Sequence, residues 1–95
     1  MTPTDELQFW REMARAAEDA LVNDMSGLCS LAFTVAGRDM DIYYGVKKVV
    51  MDACVAERLS PVCIVFFWPP YDWPPRRAFI ARQITRLERE IGSES

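Results

Sequence analysis

The run Arg76-Arg77-Ala78-Phe79-Ile80-Ala81-Arg82-Gln83-Ile84-Thr85-Arg86-Leu87-Glu88-Arg89-Glu90-Ile91 carries the clearest periodicity in the 95-residue chain, and its reading decides the fold. Ile80, Ile84, Leu87 and Ile91 recur at steps of four, three and four, which sets them on one face of an α-helix. At about 100° per residue, Arg82, Arg86 and Arg89 fall almost opposite that face, and Arg76 and Arg77 mark the first turn. Asp72 or Trp73 lies just before the start, the following prolines sit in the first turn where a missing N–H costs little, and Gly92 is the expected stop.

The same periodicity recurs upstream. Thr2-Pro3-Thr4-Asp5 has the order of a helix start, with Thr2 as cap, Pro3 at the first helical position and Asp5 and Glu6 in the positive first turn. Leu7, Trp10, Met13, Ala14, Ala17, Ala20 and Leu21 then keep helical spacing, which predicts a first helix over about 3–22. After the turn formers Asn23-Asp24-Met25-Ser26-Gly27, the stretch Leu28-Cys29-Ser30-Leu31-Ala32-Phe33-Thr34-Val35 holds no charge before Gly37. A helix without a polar face is expected to be buried nearly all round, at the centre of the bundle. Asp39 or Asp41 caps a third helix on which Ile42, Val46, Val49, Val50, Ala53 and Cys54 form the inner stripe, with Leu59 or Ser60 as its end before Pro61.

Between the third and fourth helices the pattern changes. Val62 to Trp68 is β-branched and aromatic without alternation, so 62–68 is expected to be a short buried strand or extended segment. A lone strand leaves its backbone groups unpaired. It must therefore continue helically, pair with the Gly37–Tyr44 region, or pair across an oligomer interface. Pro69-Pro70-Tyr71-Asp72-Trp73-Pro74-Pro75 is a stiff, extended Pro/Trp-rich loop. The fold class expected is thus mainly α: one domain over 1–95, a compact bundle of about four helices, with the extended segment 62–68 and the Pro/Trp loop.

Composition excludes several functions. The chain has 51% hydrophobic and 12% aromatic residues and a net charge of −3, a soluble globular balance without the cationic excess of a duplex-coating nucleic-acid binder. It contains no histidine, which removes the usual general base, metal ligand and catalytic dyads. Cys29, Cys54 and Cys63 form no Cys-x-x-Cys pair and are odd in number, so they are taken as reduced, mostly buried small residues of a cytoplasmic protein. Neither a signal peptide nor a run near the ~18 apolar residues of a membrane span is present. No cofactor, metal site or enzymatic activity is expected. Asp39 and Asp41 flank Met40 without a Gly-rich loop or further ligand spacing, which leaves them as capping residues.

Two features point to binding. Five arginines on one helix form either a solvated face paired with Glu90 and its neighbours or a surface for carboxylate or phosphate, which the planar guanidinium grips with two parallel hydrogen bonds. Phe66, Phe67, Trp68, Tyr71 and Trp73 cannot easily all be interior: they cover the open end of the bundle or, with the prolines limiting the entropy lost on docking, form a contact site. The candidate partner-binding set is therefore Trp68, Tyr71, Trp73, Arg76, Arg77, Arg82, Arg86 and Arg89. Charge is also divided along the chain. Residues 1–41 hold eight acids and three bases, residues 76–95 five bases and three acids, so the first and last helices are expected to attract, or two protomers to pack with opposite charges in register.

Gly27-Leu28-Cys29 opening an apolar helix, then Phe67-Trp68-Pro69-Pro70-Tyr71-Asp72-Trp73 and the Arg77–Ile80 continuation, resembles small accessory proteins encoded by bacteriophages and prophages, the anti-CRISPR and other anti-defence proteins among them. The resemblance covers about 27–87, and 36–48 follows no pattern shared with it. It implies a non-enzymatic protein that binds and inhibits a host protein complex, such as a CRISPR-Cas effector, in the host cytoplasm, without touching nucleic acid or membrane. The alternative is a structural or regulatory homodimer whose exposed aromatics form the self-interface.

Overall fold

The computed structural model describes residues 1–19, 28–58 and 76–94; for Asp19, Ser30, Arg76 and Glu94 the description is of the backbone alone. Four α-helices account for most of them: α1 (Pro3–Asp19), α2 (Leu28–Val35), α3 (Met40–Ala56) and α4 (Arg76–Glu94). The chain is a mainly α small bundle, and its Cα radius of gyration, 12.8 Å, matches the roughly 13 Å of a compact hundred-residue domain. The extended segment 62–68 and the Pro/Trp loop expected from the sequence lie outside the described residues.

α1 starts as its sequence demands. The Thr2 Oγ1 accepts the Asp5 amide at 3.1 Å, and Asp5 and Glu6 occupy the first turn. Leu7, Trp10, Met13 and Ala17 are buried on the predicted stripe, together with Phe9, which lies outside it. α1 packs against both α4 and α2, and α2 against α3. α2 has helix neighbours on two sides, α1 and α3, as expected of an inner element, but the expectation that it is buried all round is corrected here. α2 has only two turns, and these bury Leu28, Leu31 and Ala32 while Thr34 stays exposed and Phe33 and Val35 half-buried.

The α2–α3 turn is a Schellman motif. Gly37 adopts φ +68°, its amide reaches the Thr34 carbonyl at 3.0 Å, and the Arg38 amide reaches the Phe33 carbonyl at 3.0 Å. Only glycine takes this left-handed conformation without strain; Arg38 follows at φ 62°. Asp39 then returns to extended backbone, and its Oδ1 accepts the Asp41 and Ile42 amides at 2.9 and 3.2 Å, so Asp39 and not Asp41 is the cap.

Both remaining helix ends differ from expectation. α3 stops at Ala56, short of Leu59 or Ser60, because Glu57 leaves helical geometry and Arg58 turns left-handed at φ 58°, its amide on the Val55 carbonyl. α4 runs through Gly92 to Glu94: a glycine lowers helix stability by about 1 kcal/mol but needs a left-handed turn to end it, and Gly92 makes none. Val46, Val50, Ala53 and Cys54 are buried on α3 as predicted, whereas Ile42 is exposed. No helix among the described residues is long and apolar enough to cross a membrane.

The capping geometry separates two neighbouring acids. Asp39→Ala is expected to lower stability by about 1 kcal/mol, as loss of an N-cap does, and Asp41→Ala by less than about 0.5 kcal/mol. Urea midpoints followed by far-UV circular dichroism measure the difference; equal effects would contradict the assignment.

Candidate functional site

The buried face of α4 is turned by roughly 55° from the one read off Ile80, Ile84, Leu87 and Ile91. Phe79, Ile80, Gln83 and Leu87 are the deeply buried positions, while Ile84 and Ile91 are only partly covered. The rotation brings Arg86 and then Arg82 toward the edge of the core and leaves Arg89 facing outward. It also draws Gln83, 3% exposed, into the interior.

A continuous polar network results. Glu6 of α1 accepts the Arg86 Nη2 at 2.8 Å and the Trp10 Nε1 at 3.1 Å on one carboxylate oxygen. Arg86 also donates to the Gln83 Oε1 from Nε at 3.4 Å and from Nη2 at 3.3 Å, and to Glu90 at 3.4 Å. The Gln83 amide nitrogen donates to Glu57 at the end of α3 and, at 3.4 Å, to the Phe79 carbonyl. Glu57 takes two further bonds from Arg82, at 3.1 and 2.8 Å. Three helices thus meet through Glu6, Arg86, Gln83, Glu57 and Arg82. This network forms one wall of an open cleft of about 720 Å³. Gly45, Val49, Ala53 and Ala56 of α3 line the opposite side, with the exposed Lys48–Asp52 pair at 3.4 Å on its rim.

The sequence-predicted contact residues separate accordingly. Trp68, Tyr71 and Trp73 lie outside the described residues, and Arg76 is described only as the first residue of α4. Arg77 faces Glu18 at 3.6 Å, Arg82 and Arg86 belong to the network, and Arg89 is exposed without an ion pair among the described residues. The predicted attraction between the first and last helices is present: Arg86–Glu6, Arg77–Glu18 and Arg11–Glu88 at 3.3 Å all cross from α4 to α1. These bridges run between helices, beyond the local pairing expected with Glu90. Gln83 was the missed residue. Its signal was a polar side chain between Ile80 and Leu87 in helical phase.

A second surface was also missed. Large apolar side chains stand exposed along α3: Met40 at 47%, Tyr44 at 62% and Val55 at 69%. With the half-buried Met51 they fall within about 60° of one another around the helix. Tyr43 borders this stripe, packed edge-on against Phe33 at 5.4 Å with Lys47 over its ring at 5.9 Å. Burial, and then the charge and hydrogen bond of Cys29, push the Tyr43 phenol above its ordinary value. Cys29 is half-buried and Cys54 buried; Cys63 lies outside the described residues. No family model, curated protein or solved structure matches this chain.

Removing Glu57 strips the buried Gln83 amide of its main acceptor. Glu57→Ala is expected to destabilise by about 1–3 kcal/mol, and Glu57→Ala combined with Gln83→Leu by less than the sum of the two, since the apolar partner no longer needs an acceptor. Thermal melts of the two single variants and the double variant test this; strict additivity would dissolve the network. For Tyr43 the sign is alkaline. The folded chain holds the phenolic proton more tightly than the unfolded chain, so this contribution to stability is complete below about pH 10 and falls away as the pH rises past it. Ultraviolet titration should show the Tyr43 midpoint moving down in Cys29→Ala.

Proposed function

We propose that this chain is a non-enzymatic protein-binding domain that works by occupying a surface of a larger protein complex. The observation that carries this reading is the exposed apolar stripe on α3. A domain of 95 residues has few large apolar side chains to leave outside its core, and Met40, Tyr44 and Val55 are left there in register on one helix. Tyrosine and methionine are enriched in protein interfaces, and tyrosine supplies contact area at a small loss of side-chain entropy. The polar groups of the cleft fit the same reading. Glu6, Glu57, Arg82, Arg86 and Gln83 are engaged with one another, and their bonds join helices.

The resemblance to phage and prophage accessory proteins supplies the biological setting: inhibition of a host complex, for instance a CRISPR-Cas effector, in the host cytoplasm, without a cofactor and without direct contact to nucleic acid. The contact surface proposed from the sequence is kept for the residues whose geometry permits it. Arg77, in the first turn of α4, and Arg89, near its far end, are exposed, and Arg82 and Arg86 are about half exposed while holding their carboxylate partners. Trp68, Tyr71, Trp73 and Arg76 complete it as a proposal.

Affinity capture from bacterial lysate tests the reading. The purified chain is expected to retain a discrete host complex, and a folded variant carrying Trp73→Ala, Arg76→Glu and Arg77→Glu to lose at least tenfold of it. Arg89→Glu gives a cleaner probe of the arginine face, because this side chain has no ion pair to break among the described residues. Recovery of nothing but the chain itself would remove the host-directed reading and favour the homodimer.

A further inference from the structure

The outward face of α3 also indicates what kind of partner it fits, an inference that rests on the protein-binding reading above. The stripe from Met40 to Val55 spans sixteen residues, about 22 Å of helix, and is narrow, the form of surface along which a second helix packs. Lys47 lies beside Met40 and Met51 around the helix. Arg38 and Arg58 occupy the turns immediately before and after it. None of these three cations has an ion pair among the described residues.

The carboxylates nearby are largely committed to the fold. Asp39 caps the helix, Asp52 faces Lys48 at 3.4 Å, and Glu57 holds Arg82 and Gln83, which among the described residues of α3 and its flanking turns leaves only Asp41 open. Among the described residues the surroundings of the stripe thus carry three cations without an ion pair against one such acid, in a chain whose net charge is −3. A second copy of the chain fits this surface poorly. Met40, Tyr44, Met51 and Val55 are spaced symmetrically about the point between Lys47 and Lys48, so a two-fold pairing of α3 on α3 brings those lysines toward their own counterparts.

We propose that this face docks an amphipathic helix of a partner protein, apolar along the contact and acidic at its edges. Tyr44 and Val55 supply the apolar anchors, and Lys47, Arg38 and Arg58 select the acidic flanks. Tyr44 is 62% exposed, so its replacement tests the surface without opening the core.

The experiment pans a displayed library of amphipathic helices, with randomised apolar and flanking positions, against the full chain in parallel with folded Tyr44→Ser and Lys47→Glu variants. Enrichment of helices with acidic flanks that bind the wild type at least tenfold more tightly than Tyr44→Ser, and that lose preference for acid with Lys47→Glu, is the expected result. Enrichment without acidic bias, binding indifferent to both substitutions, or no enrichment overturns the proposal. So does protection of Tyr44 from iodination in the isolated monomer, or a self-association by sedimentation that Tyr44→Ser abolishes. A host complex captured equally by wild type and Tyr44→Ser overturns this surface while leaving the protein-binding reading standing; failure of wild-type capture alongside enrichment of acidic helices removes the host-directed reading and leaves this surface standing.

Discussion

The contact between Trp10 and Phe79 holds this molecule together. Their ring centroids lie 5.8 Å apart at an interplanar angle of 73°, the edge-to-face geometry in which the positive rim of one ring meets the negative face of the other. Both side chains are fully buried. The contact joins residues near the two ends of the chain, so everything between them is closed into one loop when it forms. Arg86–Glu6 and Arg77–Glu18 then set α4 antiparallel to α1, since a low number on one helix meets a high number on the other. Exposed ion pairs of this kind contribute at most about 1 kcal/mol each, so the apolar seam supplies most of the stability and the charges choose register and direction.

Glu6 shows how tightly these two roles are joined. One carboxylate oxygen accepts both the indole N–H of the central tryptophan and the guanidinium of Arg86, so the same atom satisfies a buried donor and fixes the neighbouring helix. Gln83 extends the arrangement to α3. Its amide nitrogen and oxygen are both used, toward Glu57 and Arg86, so a polar side chain is tolerated at a core position. Glu57 can serve as acceptor because α3 ends beside it. The early helix stop and the left-handed Arg58 bring that carboxylate to the edge of the cleft, so the backbone geometry and the network are one feature.

α3 divides its apolar residues between two purposes. Val46, Val50, Ala53 and Cys54 serve the core, while Met40, Tyr44 and Val55 point away from it. In the sequence the two groups are interleaved, and a search for one helical stripe finds the first and passes over the second. Ile42 illustrates the ambiguity, since it fits the spacing of the inner group and yet stands exposed. Periodicity alone cannot say which of two apolar sectors faces inward when both are present. That choice depends on which sector finds a neighbour.

The sequence by itself determined the helical class, the start of α1 at Thr2-Pro3, and the charge asymmetry that pairs the first helix with the last. Each is a local property or a simple sum, and local backbone sterics and net charge are carried by residues in order along the chain. Tertiary structure decided the rest: that Asp39 caps α3, that α2 leaves Thr34 exposed, that α4 rotates toward Phe79 and Gln83, and that two of its arginines tie it to α1 and to the end of α3. The rotation of α4 is the common cause of the last two. A helix presents its face to whatever packs against it, and the large flat rings of Trp10 and Phe79 meet best when α4 turns off its aliphatic axis, which carries Arg82, Arg86 and Gln83 inward together.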